Sequence, residues 1–230
     1  MHPLDNPVWE SLKSRHASFA RMRGGAGRYP PEVAPFVAVG SPAPDASGDL
    51  AELVAEGEPI LFVGPCPELG SGWSVKAPVP IAQMVCDARL DPITGPEITE
   101  LSDPQLADML ALTALVYPHY FRPRTPEMGR YLGIYDGKTL AAMAGERMGF
   151  DGYQEISAVC THPDYTGRGY AQRLVAELTN GSFDTGRIPF LHVSNENTRA
   201  KSLYERMGYV QRIDIPLWSV RRTADPGTSG

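Results

Sequence analysis

The chain has no run of basic residues, too few cysteines for a framework, and no apolar stretch of membrane length. Its 21 lysines and arginines stand against 27 acidic residues, a formal charge of -6. They fall as scattered singles and pairs, which excludes duplex nucleic acid as a main partner, because such binding leans on neutralising phosphates. A local basic pocket for a phosphorylated ligand is still allowed. The three cysteines, Cys66, Cys86 and Cys160, are far apart and odd in number, so neither a disulfide framework nor a zinc spacing is present. Each lies in or near an apolar run and reads as a buried core thiol. The opening Met1-His2-Pro3-Leu4-Asp5-Asn6 lacks signal-peptide character. A soluble cytoplasmic protein with no membrane partner is expected. A Walker phosphate loop is missing too, since no Gly-Lys-Ser/Thr follows any glycine cluster.

What is present is 230 residues, 42% of them hydrophobic, enough for one large domain or two small ones. The first hundred residues are rich in Pro and Gly. Gly24 to Gly27 and Gly40 to Asp45 read as turns or loops. Asn6 before Pro7 reads as a helix cap, with Trp9, Leu12, His16 and Phe19 following at near-helical spacing. Phe36–Val39, Ile60–Gly64 and Ile81–Cys86 read as strands, and Asp49 as the cap of a brief helix ended by Gly57. Asp91 to Pro96 reads as a linker. Beyond it come a strand over Ile98–Leu101, a capping box at Ser102-Asp103-Pro104-Gln105, and a helix with Leu106, Met109, Leu110 and Thr113 on one face. An Asp136-Gly137 hairpin joins Tyr131–Tyr135 to Thr139–Ala144. Strands over Ile156–Cys160, Phe190–Val193 and Ile213–Val220 follow, with helices from Ala171 and from Thr198 to Met207 between them. The order from residue 97 is β-α-β-β-β-α-β-α-β, which is not a repeated dinucleotide-binding pattern.

One segment carries most of the chemistry. The alternating strand Ile156-Ser157-Ala158-Val159-Cys160 runs into Thr161-His162-Pro163-Asp164-Tyr165-Thr166-Gly167-Arg168-Gly169-Tyr170-Ala171, then into a helix with Ala171, Leu174, Val175 and Leu178 on one face. A glycine turn at a helix start binds anionic phosphate, because the first backbone N–H groups lack intrahelical partners and sit at the positive end of the dipole. Gly167 and Gly169 let a pyrophosphate approach the backbone.

The Thr166–Ala171 motif, its His162-Pro163-Asp164-Tyr165 lead-in, and Val193-Ser194-Asn195-Glu196-Asn197-Thr198-Arg199-Ala200 with Leu203-Tyr204-Glu205 and Gly208-Tyr209 together resemble the GNAT superfamily of acetyl-CoA-dependent N-acetyltransferases. Thr166 departs from the family's Gln or Arg. The resemblance implies an α/β (α+β) fold over residues 97–222, a mixed central sheet flanked by helices, with its fourth and fifth strands splayed. It leaves residues 1–96 as an N-terminal α/β half, similar to a degenerate second copy, and 223–230 as a flexible tail.

The implied activity is acetyl transfer from acetyl-CoA to a primary amine of a small molecule, amino acid or peptide, by direct attack in a ternary complex. The implied cofactor contacts are Val159, Cys160 and Thr161 along the pantetheine arm, and Thr166, Gly167, Arg168, Gly169, Tyr170, Ala171 and Gln172 around the pyrophosphate. Asn197 is implied on the arm's second side, and Arg168 or Lys201 at the phosphates. Tyr204 is the implied acid for the leaving thiolate, although its place on an apolar stripe equally suits a core residue. Asn197 equally suits a helix cap. Glu155 is the base candidate; in a regular strand it shares a face with Val159 and Thr161. Glu146 and His192 are further candidates, His192 also reading as a core histidine, and a water chain could replace all three. The acceptor is expected to meet the aromatic loop Tyr117 to Pro126, with His119, Tyr120, Phe121 and Arg124, and the region Glu146 to Gly152, with the N-terminal half as a further candidate. No metal and no nucleic acid are implied, and a homodimer is left open. The rival readings are an acyl-CoA-binding regulatory module without turnover, and transfer of a longer acyl group or to a hydroxyl.

Overall fold

A computed structural model describes residues 2–41, 46–118 and 120–223. The loop expected over Pro42 to Asp45, the loop residue His119, and residues 224–230 of the expected tail lie outside the described residues. Contacts gather the chain into two units. One holds the residues up to Pro31, Pro35–Ile81 and those from Asp214 onward; the other holds Glu32–Ala34 and Ala82–Ile213. No helix among the described residues is long and apolar enough to cross a membrane.

The first unit opens with α1 (Pro7–Lys13), started by its proline. Asn6 does not cap it. The Asn6 side chain instead donates through Nδ2 to the Val39 carbonyl at 2.8 Å, tying the helix start to a strand. The helix also stops short of His16, whose buried ring hydrogen-bonds Ser11 Oγ (3.0 Å) and the Tyr29 hydroxyl (2.9 Å). Three short strands, β1 (Arg21–Arg23), β2 (Ala26–Arg28) and β3 (Val37–Val39), form an antiparallel sheet. The glycine cluster read as a loop is therefore partly a hairpin, turning at Gly24 with φ +48°. Helix α2 (Ala46–Leu53) begins before Asp49, so Asp49 lies within it; its carboxylate accepts from Gly25 N at 2.8 Å. Strand β4 (Pro59–Val63) and β5 (Trp73–Val75) both pair antiparallel with the end of the last strand. Val37, Val39, Leu50, Ile60, Phe62 and Val220 make the core of this unit.

The remaining elements are β6 (Val79–Val85), β7 (Thr99–Leu101), α3 (Leu106–Val116), β8 (Tyr131–Asp136), β9 (Thr139–Phe150), β10 (Tyr153–Thr161), α4 (Tyr170–Asp184), β11 (Ile188–Ser194), α5 (Thr198–Arg206) and β12 (Val210–Arg222). From β7 onward the order is the expected one. The sheet of the second unit runs β6-β11-β10-β9-β8-β7; β7–β8, β8–β9 and β9–β10 are antiparallel and β10–β11 is parallel. Helix α4 packs Leu174, Val175 and Leu178 onto one face, with Ala142, Ala144, Ile156 and Leu191. Burying each of the larger side chains, Leu174, Val175, Leu178, Ile156 and Leu191, contributes about 2 kcal/mol. Helix α3 packs Met109 and Leu112 onto the other face, with Tyr131, Met143 and Cys160. The Asp91–Pro96 stretch lies in this unit, where Arg173 Nε donates to the Pro96 carbonyl at 3.0 Å.

Two irregularities shape the middle of the sheet. Strand β10 pairs with β11 only over Tyr153↔Ile188, Gln154↔Pro189 and Glu155↔Phe190, although both strands run on. Beyond Glu155 they part, which is the splay expected of the fourth and fifth strands. Against β9, strand β10 carries one extra residue between Ser157 and Cys160, and Ala158 there has φ +52°. Such a bulge bends its strand and sharpens the local twist.

Candidate functional site

The splay, the turn after β10 and the starts of α4 and α5 enclose a cleft of about 350 Å³. Val159, Thr161, Thr166, Gly167, Arg168, Gly169, Tyr170, Ala171, Gln172, Asn197 and Tyr204 all line it. Their convergence follows from local rules. Gly167 and Gly169 have φ of +81° and +76°, conformations open to glycine, and no protein atom crowds the side where a Cβ would stand at Gly167. The chain can therefore turn sharply into α4. No side chain caps the start of α4, and its first turn holds no acidic residue. The first N–H groups of a fifteen-residue helix thus face the cleft without a competing protein anion.

Asn197 serves α5 as a cap. Its Oδ1 accepts from Ala200 N at 3.1 Å, and the residue also borders the cleft. Tyr204 is 6% exposed, and burial pushes its phenol well above the ordinary tyrosine value. It stays protonated at neutral pH, the state required of a proton donor.

Three candidates sit elsewhere. Lys201 Nζ bonds Asn195 Oδ1 at 3.3 Å and does not line the cleft. Cys160 packs on the α3 face, and burial raises its thiol to about 12. Glu155 is 0% exposed and lies on the face opposite Val159 and Thr161. The bulge at Ala158 is the reason: one extra residue breaks the alternation that a regular strand would give. Both Glu155 oxygens are engaged. Oε1 accepts from Arg147 Nη2 (2.6 Å) and bonds His192 Nδ1 (2.8 Å). Oε2 accepts from Arg147 Nε (2.8 Å) and Met148 N (3.2 Å). Burial pushes this carboxyl up, but the Arg147 guanidinium and then His192 outweigh it and bring it down to about 2.

His192 continues the chain of bonds. Its Nε2 lies 3.1 Å from Gln83 Nε2, and Gln83 Oε1 accepts from Arg212 Nη1 at 2.8 Å. Because the arginine can only donate, the Gln83 amide nitrogen donates to His192 Nε2, and His192 Nδ1–H donates to Glu155. Glu146 accepts from Arg130 N at 3.2 Å.

Sequence reasoning missed Tyr165, Arg199, Leu203 and Arg206 in the cleft wall. Arg199 and Arg206 are two helical turns apart on α5, so their common face was readable from spacing alone. Arg168 stands over the Tyr165 ring at 4.7 Å, which holds a third guanidinium at the cleft.

A splayed parallel pair beside a glycine cradle at an uncapped helix start is the architecture of the GNAT acetyltransferases. Comparisons with known proteins agree. Residues 131–219 match the model of the FR47-like protein family. The N-alpha-acetyltransferase RimI of Mycobacterium tuberculosis is 34% identical over 37% of this chain and 54% of its own length. The uncharacterized N-acetyltransferase YobR of Bacillus subtilis is 31% identical over 40% of this chain and 37% of its own. The chain thus spans about half or less of the curated relatives it matches. A crystal structure of a putative GNAT-family acetyltransferase from Novosphingobium aromaticivorans is 33% identical, covers 97% of this chain and 100% of that one, and superposes with a TM-score of 0.88. The chain belongs to the GNAT family.

Proposed function

We propose that the protein transfers an acetyl group from acetyl-CoA to a primary amine by direct attack in a ternary complex. The observation that carries this reading is the cleft in which the uncapped α4 start, the glycine cradle, Asn197 and the protonated Tyr204 meet. Acetyl-CoA supplies the activated acetyl group as a thioester. The backbone N–H groups at the start of α4 bind the pyrophosphate, with Arg168, Arg199 and Arg206 adding charge. The backbone of Val159 to Thr161, which no longer pairs with β11, hydrogen-bonds the pantetheine arm in the place of a strand. Asn197 holds the arm from α5. The amine nitrogen forms the new bond to the acetyl carbon as the carbon–sulfur bond breaks. Tyr204 gives its proton to the departing sulfur, and the proton shed by the attacking nitrogen passes to solvent water and from there restores the Tyr204 hydroxyl.

Glu155 is assigned here as an orienting carboxylate rather than the base. A group held at about 2 with four hydrogen bonds is a poor proton acceptor at neutral pH. The test is to incubate the protein with acetyl-CoA and a panel of amines and to follow free thiol. Thiol release that depends on the amine supports transfer. Tight binding of coenzyme A with no release above background for any amine refutes it in favour of a binding module.

A further inference from the structure

The stretch that reads as a linker in the sequence straps a helix. Its residues are tied to α4 at both ends. At one end Arg89 Nη2 donates to Asp184 Oδ1 at 2.5 Å, and the Asn180 amide is bonded twice to the Leu90 backbone, each time at 2.9 Å. At the other end Arg173 donates through Nη1 to the Ile93 carbonyl and through Nε to that of Pro96. Between these ties the strap arches away from the helix and leaves a hollow of about 400 Å³ beneath it. Fixed ends, with Pro92 and Pro96 limiting the backbone of the span, keep the arch from collapsing onto α4. The volume falls in the range of small-molecule sites. No residue of this hollow lines the cofactor cleft.

One face of α4 makes the floor, because Arg173, Ala176, Glu177 and Asn180 follow at i, i+3, i+4 and i+7. Ala176 is 2% exposed and belongs to no core cluster; a longer apolar side chain there would fill the space. Ile93 and Ile98 add apolar wall. The polar groups divide into spent and unspent. The Asn180 amide is used up on Leu90. Arg173 commits Nε and Nη1 to neutral carbonyls, so Nη2 and the positive charge have no carboxylate partner among the described residues. Glu177 is exposed and has no hydrogen bond or ion pair among the described residues. One unspent cationic donor and one unspent carboxylate therefore stand one helical turn apart, with an apolar floor between them.

We propose that this hollow is a binding site for an α-amino acid with an aliphatic side chain. Its carboxylate meets Arg173 Nη2, its ammonium meets Glu177, and its side chain lies on Ala176 and Ile98. The site owes nothing to the acetyl-transfer reading, and its readout is binding rather than thiol release. The test is to titrate leucine calorimetrically into the full chain, with and without saturating coenzyme A. Leucinamide and 4-methylpentanoate serve as probes that each lack one of the two charges. The expected result is saturable leucine binding that coenzyme A does not compete away, and affinity about five-fold weaker for either probe, as for loss of one partly exposed charge pair. Glu177→Gln should weaken leucine by about the same factor and leave 4-methylpentanoate unchanged. Ala176→Leu should abolish leucine binding with coenzyme A affinity intact. Glu177→Gln alters an exposed side chain, so it stays readable should the packing variant not fold. No saturable leucine binding, competition by coenzyme A, a probe that binds as tightly as leucine, or unchanged leucine affinity in Glu177→Gln or in folded Ala176→Leu would each overturn the proposal.

Discussion

Replacing Glu155 by Gln removes the charge that the Arg147 guanidinium faces in a buried site. The wild-type carboxyl drops from an ordinary 4.5 to about 2 on folding. At about 1.4 kcal/mol per pKa unit, that linkage stabilises the fold by about 3 kcal/mol at neutral pH. The size agrees with the several kcal/mol typical of breaking a buried pair from one side. The sign follows from the direction of the shift. A depressed carboxyl contributes stability that is fully present above its unfolded value and is lost as pH falls through its folded value. The wild type should therefore exceed Glu155→Gln by about 3 kcal/mol at pH 7 and by about 1 kcal/mol at pH 3. Urea unfolding of both proteins across that range measures the gap. A gap that stays constant with pH, or is absent at neutral pH, would refute the assignment of Glu155 as a buried, charge-paired carboxylate.

The other predictions concern the cleft. Tyr204→Phe should lower kcat about a hundred-fold with the KM for acetyl-CoA little changed; unchanged turnover in steady-state assays would remove Tyr204 from the leaving-group step. Gly169→Val forces a branched residue into φ +76° at the start of α4 and should abolish coenzyme A binding while circular dichroism still reports a folded protein. Retained affinity by calorimetry would show that the cradle is misread. Ala158→Gly relaxes a positive φ and should raise stability by up to about 1 kcal/mol, strain relief being partly offset by unfolded-state entropy. A loss of more than about 1 kcal/mol in denaturant unfolding would contradict the bulge.

The second unit was largely legible because its signals are local. Apolar alternation, the Asp136-Gly137 turn, the capping box and the glycines before α4 each act over a few residues, and together they gave the element order from β7 to β12. The cleft wall was legible for the same reason: Thr166 to Gln172 are consecutive, and Asn197 and Tyr204 are two turns apart on one short helix. What escaped was set by pairing between strands. Nothing in Ile156 to Thr161 marks Ala158 for a positive φ, since alanine does not favour it; the bend is imposed by register against β9. Without that bend, Glu155 falls on the wrong face. The ion pair of Arg147 with Glu155 was hidden in the same way. Asp151-Gly152 is a two-residue hairpin turn, with Gly152 at φ +78°, but regular pairing from it would set Arg147 opposite Ile156; the register shift between Gln154 and Ile156 is what brings Arg147 to Glu155. In the first unit, Asn6 and Asp49 resembled helix caps, but their side chains bind Val39 on a distant strand and Gly25 in a distant hairpin turn. A local rule cannot foresee a tertiary competitor for the same polar atom.

The extra residue in β10 also sets how the site responds to a change in chain length. Deleting Ala158 would leave Val159, Cys160 and Thr161 opposite the same partners and on the same faces, because the bulge inserts one residue and the pleat then resumes. Every side chain of the cleft would keep its orientation. What would vanish is the bend that turns β10 away from β11 after Glu155↔Phe190. A straight β10 would go on pairing with β11 and would spend on its neighbour the backbone groups that now face the cleft. For this protein a one-residue shortening is thus a lesion in the opening itself, invisible to any comparison of which side chains remain.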